Sequence, residues 1–369
     1  MVAMPIIVLF YQEHGLTLTE IMILQSVYSL SVALFEIPSG YIADVFGRKR
    51  TIFISTIFSL IGYLVFSFYG SFNAFMLAQF LVGIGGSLMS GSDSALIYDT
   101  LLETNNKEKY TKVEGRHYAI GNFSEALAGI LGGLLAVSSI YLPIYVQTTI
   151  LFFSIPIALS IVEPENYTKN KLDRSFSAII QVVKFAVIEN HKLRWLIIYS
   201  ASMGVATLSM AWFAQPLFKQ IDIPLAYFGI LWAGLNFSSG ITSFNAHHIY
   251  KKYKSHKILI MISLSISILF ISLSFLNSIL SLLFVLGIYL FRGLVTPILK
   301  DEININTSSN KRATVLSIRS FIIRISFAIF APLLGYVADN YSLLNTFSIL
   351  AITIGAFSLL SALKLYNSD

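Results

Sequence analysis

The stretch "GYIADVFGRKR" (residues 40–50) places one acid and three consecutive bases directly after a long apolar run. Charge is scarce elsewhere, since only 12% of the 369 residues are charged and 56% are hydrophobic. A soluble domain is typically about 45–50% apolar and about 25% charged, so this chain has too few charges to cover a surface in water. The composition therefore predicts an integral membrane protein.

Apolar segments recur along the whole chain. Twelve can be marked: 1–12, 20–43, 52–70, 72–98, 114–138, 141–162, 194–217, 225–248, 257–275, 278–299, 313–337 and 343–363. Eleven are long enough to cross a hydrocarbon core, which takes about 20 helical residues. The first begins with only eleven apolar residues, "MVAMPIIVLFY", and we expect an incomplete first helix, from a misplaced start or a truncation.

The longest connection, at 163–193, divides these segments into two sets of six. This pattern predicts an all-α membrane fold of two six-helix bundles, residues 1–165 and 194–369, with a twelve-span topology. The intervening residues 166–193 are expected to form a cytoplasmic linker. Its apolar residues recur at helical spacing, as in an amphipathic helix that lies along a membrane: Phe176, Ile179, Ile180, Val183 and Val187.

Basic residues gather on one side of the predicted spans. Of the 25 Lys and Arg residues, 21 lie in loops or at the ends of spans on the side of residues 48–50, Lys219 lies on the other side, and three lie well within spans. Cytoplasmic loops carry such an excess, so the central loop and the C-terminus are expected to be cytoplasmic. The net charge of +6 then faces acidic lipid rather than nucleic acid. The abundance of Ile, Lys and Asn indicates an AT-rich bacterial genome, so the expected location is a bacterial cytoplasmic membrane.

The residues that enzymes and metal sites use are sparse. The chain has no cysteine, and its six histidines are scattered without acids at ligand spacing. The adjacent pair His247 and His248 is interpreted as a polar interfacial face rather than a metal site. Neither a nucleophile–base set nor a G-x-x-x-x-G-K-[ST] nucleotide loop occurs. We therefore expect no enzymatic activity, no drive by ATP, and no metal or cofactor.

The opening stretch carries a recognisable pattern of glycine, acid and base. Gly40, Asp44, Gly47, Arg48 and Lys49 form G-x-x-x-D-x-x-G-[RK]-[RK] between the predicted second and third helices. This pattern closely resembles the signature loop of the major facilitator superfamily. The number of helices, the two halves and the central loop extend the resemblance over the whole chain. The resemblance implies that these five residues form a cytoplasmic latch that stabilises the outward-facing state.

Three further patterns resemble the family less completely. Helix 4 reads "AQFLVG", with Gln79 where the family often has the arginine of R-x-x-x-G. Helix 5 reads "AGILGG", which keeps Gly132 and Gly133 of the antiporter pattern G-P-x-x-G-G but has Gly129 in place of the proline. The stretch "PLLGYVADN" (332–340) resembles the signature loop, but it lies at the outer end of helix 11. The resemblance to antiporters is therefore partial.

Ionisable side chains inside predicted spans are costly and are functional hypotheses by default. Glu125, near the middle of helix 5, is the first candidate for a carboxylate that takes and releases the coupling proton, and Glu36 is the second. Arg292 and Arg324 are candidates to bind an anionic substrate group or to supply the counter-charge. Arg319 is a further candidate. It lies five residues before Arg324, about 140° around the helix, so these two are not expected to share one site.

Structural roles are the alternative for these residues. Asp93 or Asp99 would pair with Arg48 or Arg50 as part of the latch. Glu36 would be a packing acid near the end of helix 2. For the other candidates, ion pairing within the protein stays open.

Helix 7 contains the stretch "ASMGVATLSMAWFAQP" (201–216), which mixes small, polar and large side chains. Such a mixture is typical of a cavity that accepts amphipathic organic solutes. Helix packing through Gly204 and Ala206 is the alternative.

Together these features predict a secondary active transporter that moves a small molecule by alternating access. By resemblance it is expected to be coupled to protons and to export a small organic compound, as a monomer in the lipid bilayer. Uptake of a small anionic metabolite is the alternative that the membrane arginines favour. A non-transporting or defunct membrane protein is a third alternative, motivated by the short first segment.

Overall fold

The computed structural model describes residues 1–90, 92–164, 182–252, 255–308 and 311–366, and within these ranges it is helical without β-strands. In lipid, every backbone polar group must find a partner within the protein, and a helix satisfies this requirement within one segment. The expected all-α class is confirmed. The helices are α1 (Ile7–Glu13), α2 (Leu18–Phe46), α3 (Arg48–Phe68), α4 (Phe72–Met89), α5 (Ser92–Glu103), α6 (Tyr110–Ser138), α7 (Leu142–Ser160), α8 (His191–Gln220), α9 (Phe228–Lys252), α10 (Ser255–Phe275), α11 (Ser281–Ile305), α12 (Arg312–Asn340) and α13 (Leu343–Tyr366).

Ten helical stretches among the described residues are long and apolar enough to cross a membrane. The sequence predicts eleven, and the difference is α9, which occupies the predicted segment 225–248 without being one of the ten. Its stretch "GLNFSSGITSFN" (234–245) is rich in glycine, serine and asparagine, which lower its hydropathy. The first segment forms a 3₁₀ turn (Met4–Ile6) and the seven-residue α1, which is too short to span, as the sequence predicts.

The chain forms two compact units. The first comprises Met1–Leu16, Ile23–Lys171 and Leu225–Ala233, and the second comprises Thr17–Met22, Leu172–Pro224 and Gly234–Asp369. Helix α2 is therefore shared, since its first turn groups with the second unit and the rest of it with the first. The domain boundaries at residues 165 and 194 stay predictions.

Most of the predicted linker lies outside the described residues, including Phe176, Ile179 and Ile180. Its described end forms one π-helical turn, Phe185–Glu189, directly before α8.

In the first unit, α3 and α4 pack closely through a glycine. The hydroxyl group of Ser55 donates a hydrogen bond to the Gly85 carbonyl oxygen at 2.7 Å. A Cβ atom added at Gly85 would overlap the Ser59 hydroxyl group and lie 2.9 Å from the Ser55 carbonyl oxygen. The two helix backbones can approach this closely only because residue 85 has no side chain.

We expect Gly85→Ala to destabilise the protein, because its new methyl group forces α3 and α4 apart. Overpacking of this kind costs about 1–3 kcal/mol. The measurement is the midpoint of thermal unfolding of the purified chain in detergent. Gly121→Ala is the matched control, since a Cβ atom added at Gly121 of α6 meets no atom within 4 Å. Equal midpoints for the two variants would contradict this account of the α3–α4 contact.

In the second unit, α8 is the central helix and is mostly buried. The hydroxyl group of Tyr199 donates to the Leu259 carbonyl oxygen of α10 at 2.9 Å and accepts a hydrogen bond from Ser263 at 3.1 Å. On another face of α8, Gly204 packs against Ile323 of α12, where a Cβ atom would overlap the isoleucine side chain. These contacts hold α10 and α12 against α8 and fix the position of polar groups between α8 and α12.

Candidate functional site

The signature loop lies between α2 and α3, and an acid from another part of the chain caps the start of α3. Gly47 precedes α3 with a φ of 95°, a conformation that suits glycine, and it has no side chain to cap the helix. The carboxylate of Glu163 supplies the cap instead, because its two oxygens accept hydrogen bonds from the backbone N–H groups of Arg48 and Lys49, both at 2.7 Å. A carboxylate at this position also suits the positive end of the helix dipole. The sequence analysis missed Glu163.

The basic side of the same loop contacts α5. The Nε atom of Arg48 lies 3.4 Å from a carboxylate oxygen of Asp99, and both side chains are largely shielded from solvent. This is one of the pairings named as the structural alternative above. Asp93 instead accepts a hydrogen bond from the backbone N–H of Ser94 at 2.7 Å. Gly40 lies in α2, and the side chain of Asp44 lies outside the described residues.

We expect Glu163→Gln to lower the free energy of unfolding by about 1 kcal/mol, as loss of a helix cap does. Glutamine keeps only one acceptor oxygen and no charge, so one N–H group at the start of α3 loses its partner. The measurement is again the thermal midpoint in detergent. Glu108→Gln, which neutralises an exposed acid in the turn before α6, is the control and should leave the midpoint unchanged. A midpoint for Glu163→Gln equal to that of the control would rule out the capping role.

The glycines of α6 are contact points for two other backbone segments of the first unit. A Cβ atom at Gly132 would overlap the Val2 carbonyl oxygen, and one at Gly133 would lie 2.6 Å from the Gly229 nitrogen. A Cβ atom at Gly129 would lie 3.2 Å from the Trp232 ring. The antiporter-like pattern therefore has a packing reason in this chain, since α6 meets other backbones at these positions.

Glu125 lies one helical turn before Gly129 on the same face of α6. Its side chain is exposed, and the amino group of Met1 is close enough for a Coulombic interaction. Glu36 in α2 is partly buried, and its backbone carbonyl oxygen accepts a hydrogen bond from Ser39. Glu125 lies midway along the spanning stretch Lys112–Ser138, and its role in proton coupling stays a prediction.

Gln79 of α4 forms a neutral polar pair where the family pattern often has arginine. Its amide nitrogen donates to the hydroxyl group of Tyr11 at 3.0 Å, and both side chains are buried. This pair therefore carries no positive charge.

In the second unit, Arg319 of α12 reaches α8. Its Nε atom donates a hydrogen bond to the Ser200 hydroxyl oxygen at 2.9 Å, and that hydroxyl group donates to the Leu196 carbonyl oxygen at 2.8 Å. Ser200 is almost fully buried, so the chain of two hydrogen bonds fixes the edge of the guanidinium group. The contact between Gly204 and Ile323 lies one turn further along both helices and holds them together there.

Two other arginines lie in the spans of the second unit. Arg292 of α11 packs over the ring of the buried Tyr289 at 5.4 Å from the centroid, and Arg324 of α12 is half-buried. Within the described parts of the chain, no Asp or Glu oxygen lies within 4.0 Å of Arg292, Arg319 or Arg324. That Arg319 and Arg324 serve different sites stays a prediction. The second unit therefore carries cations in its spans without carboxylate partners among the described residues.

The stretch 201–216, predicted as part of helix 7, lies in α8 and packs inside the second unit. Met203, Met210, Phe213 and Gln215 of α8 are each at most 2% exposed. Trp212 is only partly buried. The burial of these four side chains favours the packing alternative over a cavity lining at their positions.

Comparison with known proteins agrees with this architecture. The family profile described as "Major Facilitator Superfamily" matches residues 1–307. The chain is 22% identical over 353 residues to "Uncharacterized MFS-type transporter MJ1560" of Methanocaldococcus jannaschii, covering 94% of this chain and 90% of that protein. It is 29% identical over 133 residues to "Probable nitrate transporter NarT" of Staphylococcus carnosus, covering 36% of this chain and 32% of that protein.

Solved structures share the fold. The nucleoside transporter NupG superposes with a TM-score of 0.76 at 12% identity, covering 99% of this chain and 96% of that one. A D-xylose-proton symporter superposes with a TM-score of 0.74 at 14% identity, covering 99% and 91%. Together with the family profile, these matches identify a multi-pass membrane transporter for a small molecule rather than an enzyme. The profile match over residues 1–307, together with this helical architecture, places the chain in the Major Facilitator Superfamily.

Proposed function

We propose that this transporter takes up a small organic anion by alternating access, with protons as the coupling ion. The observation that carries the proposal is Arg319, a guanidinium group anchored at one edge by Ser200. The cost of keeping a cation within a spanning helix is offset when an anion binds to it.

The geometry of Arg319 suits a carboxylate or a phosphate group. Its Nε atom is engaged by Ser200, and the two terminal nitrogens have no hydrogen-bond partner among the described residues. A guanidinium group presents such a pair of nitrogens as a fork that matches two oxygens of one anion. Because Ser200 already holds the plane of the group, less side-chain entropy is lost when the anion binds.

Uptake of an anion requires an energy source. The interior of a bacterium is negative, and entry of one negative charge against the membrane potential costs about 2.3 kcal/mol per 100 mV. Co-transport of protons removes this cost and adds the pH gradient. We assign the coupling proton to Glu125, the exposed carboxylate on α6. Glu36 is the second candidate, because it already interacts with other groups of the protein.

The names of two similar proteins support the separate parts of this proposal. One partial relative is described as a probable nitrate transporter, which handles an anion, and one solved structure is a symporter that couples D-xylose to protons. Neither is similar enough to carry its substrate over to this chain.

Export of a small organic compound is the second candidate function. It is favoured by Gly132 and Gly133, which keep part of the antiporter pattern, although their contacts with Val2 and Gly229 explain them by packing. Survival of an efflux-deficient bacterial host on a panel of toxic organic compounds tests it. Protection by the intact transporter, lost in Glu125→Gln, would favour export over uptake.

In addition to the binding site, we assign a conformational role to the signature loop. We assign the latch to Gly40, Asp44, Gly47, Arg48 and Lys49, with Asp99 of α5 as the partner of Arg48, and we include Asp93, which lies in the first turn of α5. The loops rich in Lys and Arg, the central loop and the C-terminus are assigned to the cytoplasm, and the transporter is assigned to a bacterial cytoplasmic membrane as a monomer.

A ligand screen tests the proposed substrate class. The purified chain in detergent is heated with mono- and dicarboxylates and organic phosphates, and separately with neutral sugars and nucleosides. A ligand that binds only the folded state, and is present at a concentration of about 100 times its Kd, stabilises that state by about 2.7 kcal/mol. We expect anions to raise the unfolding midpoint in the natural sequence and in Lys300→Gln, which removes an exposed cation of α11, but not in Arg319→Gln. Stabilisation by neutral compounds alone would overturn the proposal.

A further inference from the structure

A carboxylate on α12 binds the start of α2, 320 residues away in sequence. The two oxygens of Asp339 accept hydrogen bonds from the backbone N–H of Leu18 at 2.9 Å, the backbone N–H of Thr19 at 2.7 Å and the hydroxyl group of Thr19 at 2.6 Å. These residues belong to the second unit, whereas the remainder of α2 belongs to the first.

The start of α2 cannot satisfy these N–H groups locally. Thr17 and Glu20 form a capping box, in which the Thr17 hydroxyl oxygen accepts from the Glu20 N–H at 3.2 Å and a Glu20 carboxylate oxygen accepts from the Thr17 N–H at 2.9 Å. The N–H groups of Leu18 and Thr19 lie between them and have no partner within the helix. Asp339 fills these two positions and brings a negative charge to the positive end of α2.

The backbones of α2 and α12 also touch at this point. A Cβ atom at Gly335 would lie 2.7 Å from the Thr19 Cα atom and 2.8 Å from the Leu18 carbonyl oxygen. Gly335 lies one helical turn before Asp339. The backbone of Gly335 and the carboxylate of Asp339 therefore both contact the start of α2. Any larger residue at position 335 would hold Asp339 away from Leu18.

The same five-residue pattern, with one conservative difference, occurs at the ends of both helices. "GYIAD" (40–44) lies near the C-terminal end of α2 and begins the signature loop, and "GYVAD" (335–339) lies at the C-terminal end of α12. The first copy is followed by "VFGRKR" on the basic side of the membrane. The second copy is followed by "NYSLLN", on the side that carries few bases.

We propose that Asp339 is a gating residue, whose contact with the start of α2 closes the transporter on the side opposite the basic loops. The contact must break each time the protein opens to that side, and water then solvates the N–H groups of Leu18 and Thr19. The contact is exposed at the surface, so water can replace the carboxylate and the contact remains reversible. The proposal rests on the alternating access proposed above, but not on the substrate or the coupling ion.

Distances between spin labels test this role in the intact chain. The natural sequence has no cysteine, so labels can be attached to cysteines introduced at the exposed positions Glu13 and Tyr341 without removing any native thiol. In lipid nanodiscs without substrate, we expect Asp339→Asn to raise the ratio of the long-distance to the short-distance population on the order of tenfold, because asparagine keeps one acceptor oxygen but loses the second one and the negative charge. Asp222→Asn is the control, because Asp222 is an exposed acid with a φ of 57°, which asparagine also adopts.

A second variant covers the case in which Asp339→Asn does not fold. Thr19→Val removes only the hydroxyl hydrogen bond to Asp339 and should give a smaller shift in the same direction. Distributions that match the Asp222→Asn control in both variants would overturn the gating role. Because no substrate is present, this result is independent of whether the chain carries an anion.

Discussion

Transport of the anionic solute is expected to fall by about 30- to 4,000-fold when Arg319 is replaced by glutamine. Removing one partner of a desolvated, charge-assisted contact costs about 2–5 kcal/mol, and each 1.4 kcal/mol is a factor of ten. Glutamine can still bond to Ser200, so the packing between α8 and α12 is retained while the charge and the fork are lost. The measurement is uptake of a radiolabelled anion, chosen from the ligand screen, into proteoliposomes.

Arg319→Lys separates charge from geometry in the same assay. Lysine keeps the positive charge but presents a single ammonium group that cannot hold two oxygens side by side. We expect transport between that of the natural sequence and that of Arg319→Gln, mainly through a higher KM. Lys300→Gln, which removes an exposed cation of α11, should transport normally. Full activity of Arg319→Gln would exclude Arg319 from the binding site and make Arg292 and Arg324 the next residues to test.

Replacing Glu125 with glutamine is expected to abolish accumulation driven by a pH gradient while leaving exchange of internal for external solute intact. Glutamine matches glutamate in size but cannot take or release a proton, so solute binding and alternation continue without coupling. Two assays on the same proteoliposomes measure this separation: accumulation under an imposed pH gradient, and counterflow without one.

The matched control is Glu13→Gln, which neutralises an exposed acid at the end of α1. It should behave as the natural sequence in both assays. Accumulation that persists in Glu125→Gln would remove Glu125 from the coupling mechanism and make Glu36 the next candidate. Loss of counterflow together with accumulation would instead place Glu125 in substrate binding.

The helices were accessible from sequence because the membrane leaves a long apolar segment few alternatives. Hydrocarbon cannot satisfy backbone N–H and C=O groups, so composition and length alone predict most of the spans. Residues 225–248 were also predicted to span, and most of them lie in the 25-residue α9, but glycines, serines and asparagines leave this helix without an apolar stretch comparable to those of the ten spanning stretches. For α9, contacts with neighbouring helices are expected to replace hydropathy as the source of stability.

The long-range polar contacts were not accessible from sequence. Glu163 caps α3 from 115 residues away, and Asp339 caps α2 from 321 residues away. Sequence rules for helix caps consider neighbours within about four residues, and at the start of α2 they identify only the capping box of Thr17 and Glu20. An acid directly after a predicted span, as at Glu163, is a signal that could have indicated such a role.

The arginines illustrate the same division. Their presence inside spans is readable from the sequence and marks them as functional candidates. The bond from Arg319 to Ser200 depends on how α8 and α12 pack, which no local pattern contains. That bond is what separates Arg319 from Arg292 and Arg324 as the anchor of the proposed anion site.

The most direct test of the account is proton movement driven by the solute. The purified chain is reconstituted into liposomes that contain a pH-sensitive dye, and the anion selected by the ligand screen is added outside without an imposed gradient. We predict acidification of the interior that depends on the anion, is absent from protein-free liposomes and is lost in Arg319→Gln and Glu125→Gln. Entry of the anion without any change of internal pH would contradict the proposed coupling to protons.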